Sequence, residues 1–369
     1  GFTTPETVKN EFTSAEHIGK PDKKYIKVAL LLDTSNSMDG LINQAKAYLW
    51  DMVNELSYAR HGKKAPNLLI ALYEYGNDDL PSSEGYIRQV IGFTDDLDEL
   101  SEKLFSLTTN GGAEFCGQAI MTSLKQLDWG KDPDDLKLIF IAGNEPFTQG
   151  KTDYRDVAKD AVEKDVVVNT IHCGSYNTGV RGMWADGAKR TRGEYMAIDH
   201  NEKIVEITTP YDPTILKLNI QLNQTYIPYG NQGRYKAEMQ VRQDANASSV
   251  NEEIALKRAV SKSSGMYRNA AWDLVDATKD KSFDYGKLKK AELPEMLKGK
   301  SSAEIKAYVN EKAKERASIQ QKIQELHKKR MAYIAKEHKN VKASKSLNSV
   351  MIKAIKAQAK AKNYTWTQR

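Results

Sequence analysis

Asp33, Ser35 and Ser37 form an Asp-x-Ser-x-Ser pattern directly after the apolar run 28–32. One carboxylate and two hydroxyls at alternating positions of a tight loop can face a single point. Hard cations such as Mg²⁺, Ca²⁺ and Mn²⁺ take oxygen ligands of this kind. The same residue types occur in ordinary strand-to-helix turns, where Ser37 would cap a helix that begins at Met38. The pattern alone therefore leaves a metal site and a simple helix cap both open.

The chain has two cysteines, Cys116 and Cys173. They could form one disulfide in an oxidising compartment or stay as two reduced thiols, and the sequence leaves both arrangements open. A catalytic thiol activated by a helix start or by His172 is chemically conceivable, but no conventional nucleophile motif surrounds either cysteine. We expect His172 to be an ordinary histidine at the end of a strand.

Six segments have the residue pattern of β-strands. Residues 25–33 and 136–143 are apolar on both faces, as buried parallel strands are. Residues 86–93 alternate polar and apolar side chains, which is typical of a half-exposed strand at a sheet edge. The other predicted strands are 67–76, 166–174 and 193–199.

Amphipathic helices are predicted between these strands. Apolar residues recur at helical spacing through residues 38–56, and residues 95–107 form a helix behind a Thr94 cap. The other predicted helices of this part are 115–127, 153–165 and 212–226. Strands that alternate with helices indicate crossover connections. We therefore predict an α/β fold with a doubly wound, mostly parallel, six-stranded sheet of Rossmann-like type over residues 25–229, after an extended arm over residues 1–24.

Ligands of such sheets bind beyond the carboxyl ends of the strands. Asp33, Gly143 and Cys173 are all predicted to lie at those ends. Residues 144–154 follow as an exposed loop with Phe147 near its tip, which is either a functional surface or a plain connector. The sequence contains no phosphate-binding glycine-rich loop, no dinucleotide fingerprint and no His-Glu-x-x-His motif.

At this point the chain resembles a known family. The stretch VALLLDTSNSMDG (28–40), followed by an amphipathic helix, is similar to the start of a von Willebrand factor A domain of bacterial type. The stretches GGAEFCGQAI (111–120) and LIFIAGNEPF (138–147) are similar to that family's second and third metal-site loops. The resemblance covers residues 25–229. It implies a metal-ion-dependent adhesion site, a divalent cation with a position open for a partner's carboxylate, and a protein-binding module without catalysis.

The second and third loops depart from the family pattern. Aligning Gly117 with the family's glycine places Glu114 where the family has a threonine, and Gly143 stands where it has an aspartate, followed by Glu145. The resemblance therefore implies a variant metal set of Asp33, Ser35, Ser37, Glu114 and Glu145, the last acting through water. A direct Glu114 ligand adds negative charge and could fill the open position. The alternative is a vestigial site in which Ser35 and Ser37 hydrogen-bond the loops and Glu114 caps the helix that starts near Phe115.

Residues 230–369 have a different character. They hold 31 Lys and Arg against 15 Asp and Glu, a net charge of +16, whereas residues 1–230 hold 24 against 34, a net charge of −10. Residues 301–339 open with a capping box of Ser301 and Glu304 and have a thin apolar stripe, which predicts a coiled coil or a helical arm packed along the domain. Another basic helix is predicted over 346–363.

Several roles for this basic helical extension are open. It could brace or assemble the protein, or dock on an anionic surface such as phospholipid or an acidic envelope polymer. Nucleic-acid binding is disfavoured because aromatic residues are not interleaved among the lysines. No stretch is apolar enough over about 18 residues to span a membrane.

The sequence as a whole predicts a non-enzymatic adhesion or scaffold module. Its α/β domain would bind Mg²⁺ or Ca²⁺, with Mn²⁺ as a further candidate, and recognise a protein through the loops at the carboxyl ends of the strands. The expected location is the periplasm or cell surface, with the cytoplasm as the alternative. Two other functions stay open, an accessory subunit of an ATPase or chelatase complex and a metal-free structural scaffold.

Overall fold

The computed structural model describes residues 23–203, 207–337 and 347–367. Most of the arm predicted over residues 1–24 lies outside the described residues. The strands are β1 Tyr25–Asp33, β2 Ala59–His61, β3 Asn67–Tyr75, β4 Ile87–Thr94, β5 Leu136–Gly143, β6 Val167–Cys173, β7 Tyr195–Ile198 and β8 Tyr364–Trp366. The helices are α1 Asp39–Leu56, α2 Leu97–Phe105, α3 Cys116–Gln126, α4 Tyr154–Glu163, α5 Tyr176–Arg181, α6 Trp184–Lys189, α7 Asp212–Asn223, α8 Gly233–Val250, α9 Glu252–Lys262, α10 Leu274–Ala277, α11 Glu295–Lys298, α12 Ser302–Glu337 and α13 Leu347–Ala361.

The main sheet has six strands in the order β4-β3-β1-β5-β6-β7. All neighbours are parallel except β3 and β4, and the antiparallel β4 forms one edge, as its alternating pattern predicts. Alternate residues of β1 enter two different cores. Val28 and Leu30 pack on the side of α1, while Ala29 and Leu31 pack on the side of α3 and α4. The predicted doubly wound α/β fold is confirmed.

The order of the strands places the carboxyl ends of β1 and β5 at the centre of one sheet edge. Strands β3 and β4 lie on one side of β1, whereas β5, β6 and β7 lie on its other side. The strand order therefore reverses beside Asp33 and Gly143, the last residues of β1 and β5. A crevice at such a reversal is where open α/β sheets bind ligands.

Some local features differ from the expectations. The cap of α2 is Asp96, whose Oδ1 accepts a hydrogen bond from the Glu99 N–H at 3.0 Å, and Thr94 instead accepts from the Asp96 N–H. The short helices α5 and α6 were not predicted because glycines interrupt their helical pattern. The small antiparallel pair of β2 and β8 was also missed, since each of its strands has only three residues.

The C-terminal helices pack on the α/β domain. Helix α8 packs against α2, and helices α9 and α13 pack against α1. Helix α12, which begins with the predicted capping box, buries its apolar stripe against α7, α9 and α10. This is the predicted arm along the domain, and the coiled coil is not confirmed. None of the helices in the described ranges is both long and apolar enough to cross a membrane.

The positively charged C-terminal region forms ion pairs with the negatively charged α/β domain. Cations of the C-terminal region pair with acidic residues of the α/β domain at every helix that packs there. The pairs are Lys236 with Asp96 and Glu99, Arg242 with Glu102, Lys257 with Asp51, Arg258 with Asp98, Arg330 with Asp212, Lys356 with Glu55, and Lys362 with Asp165. Part of the predicted charge asymmetry is therefore satisfied within one molecule.

Two buried arginines fix α12 beside α7. Arg330 donates to Asp212 at the start of α7, at 2.9 Å. Arg316 donates to the hydroxyl and carbonyl of Thr225, just past the end of α7, and pairs with Asp273 at 2.7 Å. Removing one partner of a buried pair leaves an uncompensated charge, so such pairs enforce one arrangement of the helices.

The loop between β5 and α4 is packed into the core through Phe147, which corrects the expectation of an exposed tip. Phe147 is 1% exposed and lies with its ring centroid 5.0 Å from that of Trp184 and 5.2 Å from that of Tyr154. A Cβ atom at Gly187 would touch the same ring. The prediction of an exposed tip was wrong because the loop has polar residues before and after Phe147, which is characteristic of a surface loop.

Replacing Phe147 with alanine should lower the free energy of unfolding by about 3–5 kcal/mol, because the substitution leaves a cavity between rigid aromatic rings. Urea unfolding followed by circular dichroism measures the change. The exposed neighbour Thr148 provides the matched control, and Thr148→Ala should change the free energy by less than about 0.5 kcal/mol. Equal, small effects of both substitutions would contradict the buried position of this loop.

Candidate metal centre

The candidate site lies where the carboxyl ends of β1, β3 and β5 meet the start of α3. Asp33 ends β1 and is paired in register with Tyr75, the last residue of β3. The chain turns directly after Asp33, and the Ser35 N–H donates to Asp33 Oδ1 at 2.8 Å. This hydrogen bond fixes one oxygen of the carboxylate, and the other, Oδ2, is buried without a hydrogen-bond partner among the described residues.

Four oxygen atoms at this place are buried without a hydrogen-bond partner among the described residues. They are Asp33 Oδ2, Ser35 Oγ, Glu114 Oε2 and Asn144 Oδ1. Asp33 is fully buried, and Ser35 and Glu114 are only 5% and 6% exposed. Buried polar atoms normally have a partner, so a cluster of unsatisfied ones needs an explanation. Carboxylate, hydroxyl and amide oxygens are the donor set that a hard cation prefers, and the residues present therefore fit a divalent ion.

The pKa values of the two carboxyl groups also indicate a position for a cation. Burial, followed by the nearby charge of Asp33, raises the pKa of Glu114 to about 9. Burial also raises the pKa of Asp33, although the Ser35 N–H opposes this by hydrogen-bonding the charged form. Two buried carboxylates cannot both ionise cheaply unless positive charge lies between them. Without a cation the pair retains a proton, and a cation would take the place of that proton.

Glycines make room for this pair of carboxyl groups. Gly76, just after β3, has φ +78°, and a Cβ atom there would lie 2.6 Å from Glu114 Cγ. A Cβ atom at Gly143 would lie 3.1 Å from Asp33 Oδ2. The same atom would lie still closer to the Tyr75 hydroxyl, so a side chain at position 143 would clash with Tyr75 as well as crowd Asp33.

Hydrogen bonds outside the site hold its loops in place. The Glu114 N–H donates to Gln149 Oε1 at 3.0 Å, which ties the loop before α3 to the loop after β5. Asn77 Nδ2 donates to the Thr108 carbonyl at 3.0 Å. The Tyr75 hydroxyl donates to the Ala142 carbonyl at 2.9 Å below the carboxylates. The loop that carries Glu114 is thus tied to the loop after β5, and the ends of β3 and β5 are joined beneath the carboxyl groups.

Ser37 and Glu145 are placed differently from the other predicted ligands. Both are exposed, and Ser37 Oγ accepts a hydrogen bond from Asn144 Nδ2 at 3.4 Å. The Glu145 carbonyl accepts from the Trp184 indole at 2.8 Å, and the charge of its side chain contributes to the raised pKa of Glu114. The structure thus brings Asp33, Ser35 and Glu114 together and leaves Ser37 and Glu145 at the rim. Within the described ranges, no three His, Cys, Asp or Glu side chains lie together in a position to hold a metal.

Of the alternative roles considered for these residues, the helix caps are not observed, whereas Ser37 does hydrogen-bond a neighbouring loop through Asn144. Helix α1 has no side-chain cap from Ser37, since its N-cap position is Met38. Helix α3 is preceded by Phe115 and has no side-chain cap from Glu114. Asn144 and Gly76 were not predicted as site residues. The only sequence feature that could have indicated them is a Gly-Asn dipeptide at the end of each strand, Gly76-Asn77 at β3 and Gly143-Asn144 at β5.

The two cysteines are free thiols in the structure, which is one of the two arrangements that the sequence left open. Cys116 Sγ lies 3.7 Å from the Tyr75 hydroxyl, beneath the site. Burial raises the pKa of both thiols, so they stay protonated and are poor nucleophiles. Burial lowers the pKa of His172, which packs with its ring centroid 5.8 Å from that of Trp184.

The α/β domain that holds this site is similar to known proteins. Residues 27–194 match the family model of the von Willebrand factor type A domain. The match confirms the fold that the sequence predicted, a six-stranded, mostly parallel sheet of von Willebrand A or Rossmann-like type. Domains of this family are generally protein-interaction modules. The comparison with curated proteins found no match.

Solved structures with similarity to this chain come from several sources. The conserved hypothetical protein BatB from Bacteroides thetaiotaomicron is 18% identical, with a TM-score of 0.36, over 47% of this chain and 90% of that one. The SpRpn10 VWA domain is 13% identical, with a TM-score of 0.35, over 49% and 99%. An aerotolerance-related membrane protein from Bacteroides fragilis is 15% identical, with a TM-score of 0.34, over 48% and 93%.

The raised pKa of Glu114 gives a testable pH dependence. In the presence of a chelator, folded protein holds a proton on Glu114 up to about pH 9, whereas the unfolded chain releases it near pH 4.5. The free energy of unfolding should therefore fall between about pH 6 and pH 9, by up to about 1.4 kcal/mol per pH unit. Glu114→Gln cannot titrate and should lose most of this slope. Urea unfolding across that range measures both, and identical slopes would contradict the buried carboxyl pair.

Proposed function

We propose that the α/β domain is a non-enzymatic protein-binding module that holds a divalent cation between Asp33, Ser35 and Glu114. The observation that supports this most is the cluster of buried oxygen atoms without hydrogen-bond partners at the strand ends. Their chemistry favours Mg²⁺ or Ca²⁺, with Mn²⁺ as a further candidate. Asn144 supplies an amide oxygen beside them, and Ser37 and Glu145 remain candidates for contacts through water.

Asp33 and Glu114 have different roles in the proposed site. Asp33 is oriented by the Ser35 N–H, so its free oxygen is positioned before any ion arrives. Glu114 supplies a second negative charge from the start of α3 and is positioned by Gln149. A bound cation would supply the fixed positive charge that lets both carboxyl groups ionise. This arrangement makes the loops around the site more rigid, which is what a recognition surface requires.

The partner surface follows from the charge of the loops. Glu114 replaces a neutral residue of the related family and so disfavours a partner carboxylate at the ion. Asp78, Asp79 and Glu145 are exposed on the loops that surround the site. We infer that these loops recognise a protein surface with complementary positive charge, which would favour rapid and salt-sensitive association.

A metal-free scaffold is the second candidate, favoured by the same raised pKa of Glu114. In that state a proton shared by the carboxyl pair replaces the cation, and the domain would recognise its partner without an ion. A location outside the cytoplasm and docking of the basic helices on an anionic lipid or polymer stay predictions from the sequence. Several of the cations concerned are engaged in pairs with the α/β domain.

Titration calorimetry with Mg²⁺, Ca²⁺ and Mn²⁺ tests the cation proposal. Wild-type protein should bind at least one of them with a single site, and Asp33→Ala should abolish the heat. Glu114→Gln should weaken binding by at least about tenfold, because it removes a charged ligand from a buried site. Asp78→Asn is the matched control, since it removes an exposed carboxylate of a neighbouring loop and should leave binding unchanged.

The outcome also separates the two candidates. Negligible heat for all three ions in wild-type protein, together with no increase in thermal stability, would contradict the metal site and favour the scaffold. Equal loss of binding in Asp78→Asn and Glu114→Gln would contradict the assignment to the buried pair.

A further inference from the structure

A cavity of about 300 Å³ lies at the amino ends of β1 and β3, between the α/β domain and the segment that follows α9. Tyr25 and Asn67, the first residues of these two strands, line it, and so does Asp95, which follows the antiparallel β4. Met266 and residues 268–272 form the facing wall. Cavities between two parts of a protein are frequent positions for small ligands. This one is at the end of the sheet opposite to the candidate metal centre.

The cavity wall includes an amide donor that is buried without a partner. Asn269 is 5% exposed, and its Nδ2 has no hydrogen-bond partner among the described residues. The Trp272 indole N–H donates to Asn269 Oδ1 at 3.1 Å. Because an indole can only donate, this hydrogen bond fixes which side of the amide carries the oxygen and which side carries the two N–H groups. A buried donor without an acceptor is unfavourable, and an acceptor atom of a ligand would satisfy it.

Neighbouring hydrogen bonds hold Asn269 and Arg268 in position. The Asn269 N–H donates to Asp276 Oδ2 at 2.8 Å. Arg268 donates through Nε to the Gly265 carbonyl at 2.8 Å and through Nη1 to Asn67 Oδ1 at 3.2 Å. A guanidinium has five N–H groups in a fixed plane, so an arginine held in this way keeps further donors for a carboxylate.

Four charged residues line the cavity, and together they indicate which ligand it fits. They are Lys23, Asp95, Asp96 and Arg268. Asp96 is already engaged, because Lys236 pairs with it at 2.7 Å. Lys23, Asp95 and Arg268 are exposed, and in the part of the chain that the structure describes none of them forms an ion pair. The cavity therefore offers two cations for a carboxylate and one carboxylate for an ammonium group.

Much of the remaining lining is apolar. Leu68 and Leu69 of β3 are buried on one side, and Met266 and Trp272 are buried on the other. Trp272 is held by stacking on Tyr226, with the two ring centroids 5.6 Å apart. Apolar surface of this kind would receive an aliphatic or aromatic side chain. A volume of about 300 Å³ is at the lower end for ligand pockets, which favours a molecule of the size of one amino acid.

We propose that this cavity binds a free α-amino acid with an apolar side chain. Asn269 Nδ2 and Arg268 donate to its carboxylate, and Lys23 adds positive charge there. Asp95 accepts from its ammonium group, while its side chain packs on the apolar wall beside Trp272. Because the ligand contacts both the α/β domain and the segment after α9, binding holds these two parts of the chain together. The site shares no residue with the candidate metal centre and does not depend on it.

Titration calorimetry of the full chain with L-leucine, L-methionine and L-phenylalanine tests this proposal. At least one of them should bind a single site with a dissociation constant below about 1 mM. Analogues of the best ligand that lack either its amino group or its carboxyl group should bind at least about tenfold more weakly, because each loses one charged contact. For leucine these analogues are isocaproic acid and isoamylamine.

Substitutions at the mouth of the cavity locate the binding. Arg268→Gln and Asp95→Asn should each weaken binding of the best amino acid by at least about tenfold. Both positions are exposed, so the melting temperature of the free protein should not change. Arg234→Gln, at an exposed position of α8, is the matched control and should leave the affinity unchanged. The amides of residues 266–272 should exchange hydrogen more slowly when the ligand is bound.

The possible results decide between this ligand and other occupants. Negligible heat with all three amino acids would overturn the proposal, in favour of water alone as the partner of Asn269. Equal binding of the analogue without an amino group would overturn it in favour of a simple carboxylate. Unchanged affinity in both Arg268→Gln and Asp95→Asn would place the binding elsewhere. Displacement of the amino acid by a synthetic peptide of residues 1–22 would overturn it in favour of a segment of this chain as occupant.

Discussion

Two carboxyl groups, Asp33 and Glu114, are buried side by side where β1 ends and α3 begins, and their mutual repulsion is the constraint around which this end of the domain is built. Burying two like charges costs several kcal/mol unless a proton or a cation lies between them. Gly76 and Gly143 remove the side chains that would occupy the space, and Gln149 and the Ser35 N–H fix the carboxyl groups. The strand ends thus keep a compact, negatively charged position that the rest of the fold supports.

The C-terminal region stabilises this domain through charge as well as through apolar contact. The sequence shows a negative first part and a positive second part, which alone suggests an external anionic partner. In the structure, Arg258, Lys257 and Lys236 meet acidic residues of α1 and α2, and Arg330 reaches the start of α7. The partner for much of the positive charge is therefore the α/β domain of the same chain.

The parts of this structure that follow from local pattern could be predicted from the sequence. Continuous apolar runs identify the buried strands, and their alternation with amphipathic helices identifies the parallel sheet and hence the edge where Asp33 lies. Glu114 could be placed at that edge only by aligning Gly117 with the glycine of a family loop that the sequence resembles. Phe147 and the ion pairs across the molecule could not be predicted, because burial of a loop residue and the pairing of distant charges depend on tertiary contacts that leave no periodic signal.

The most direct test of the account is a crystal structure of the protein grown with Mn²⁺, measured at a wavelength where manganese scatters anomalously. The account predicts one strong anomalous peak between Asp33, Ser35 and Glu114, with both carboxyl groups turned toward it. A map without a peak at the strand ends would contradict the cation site.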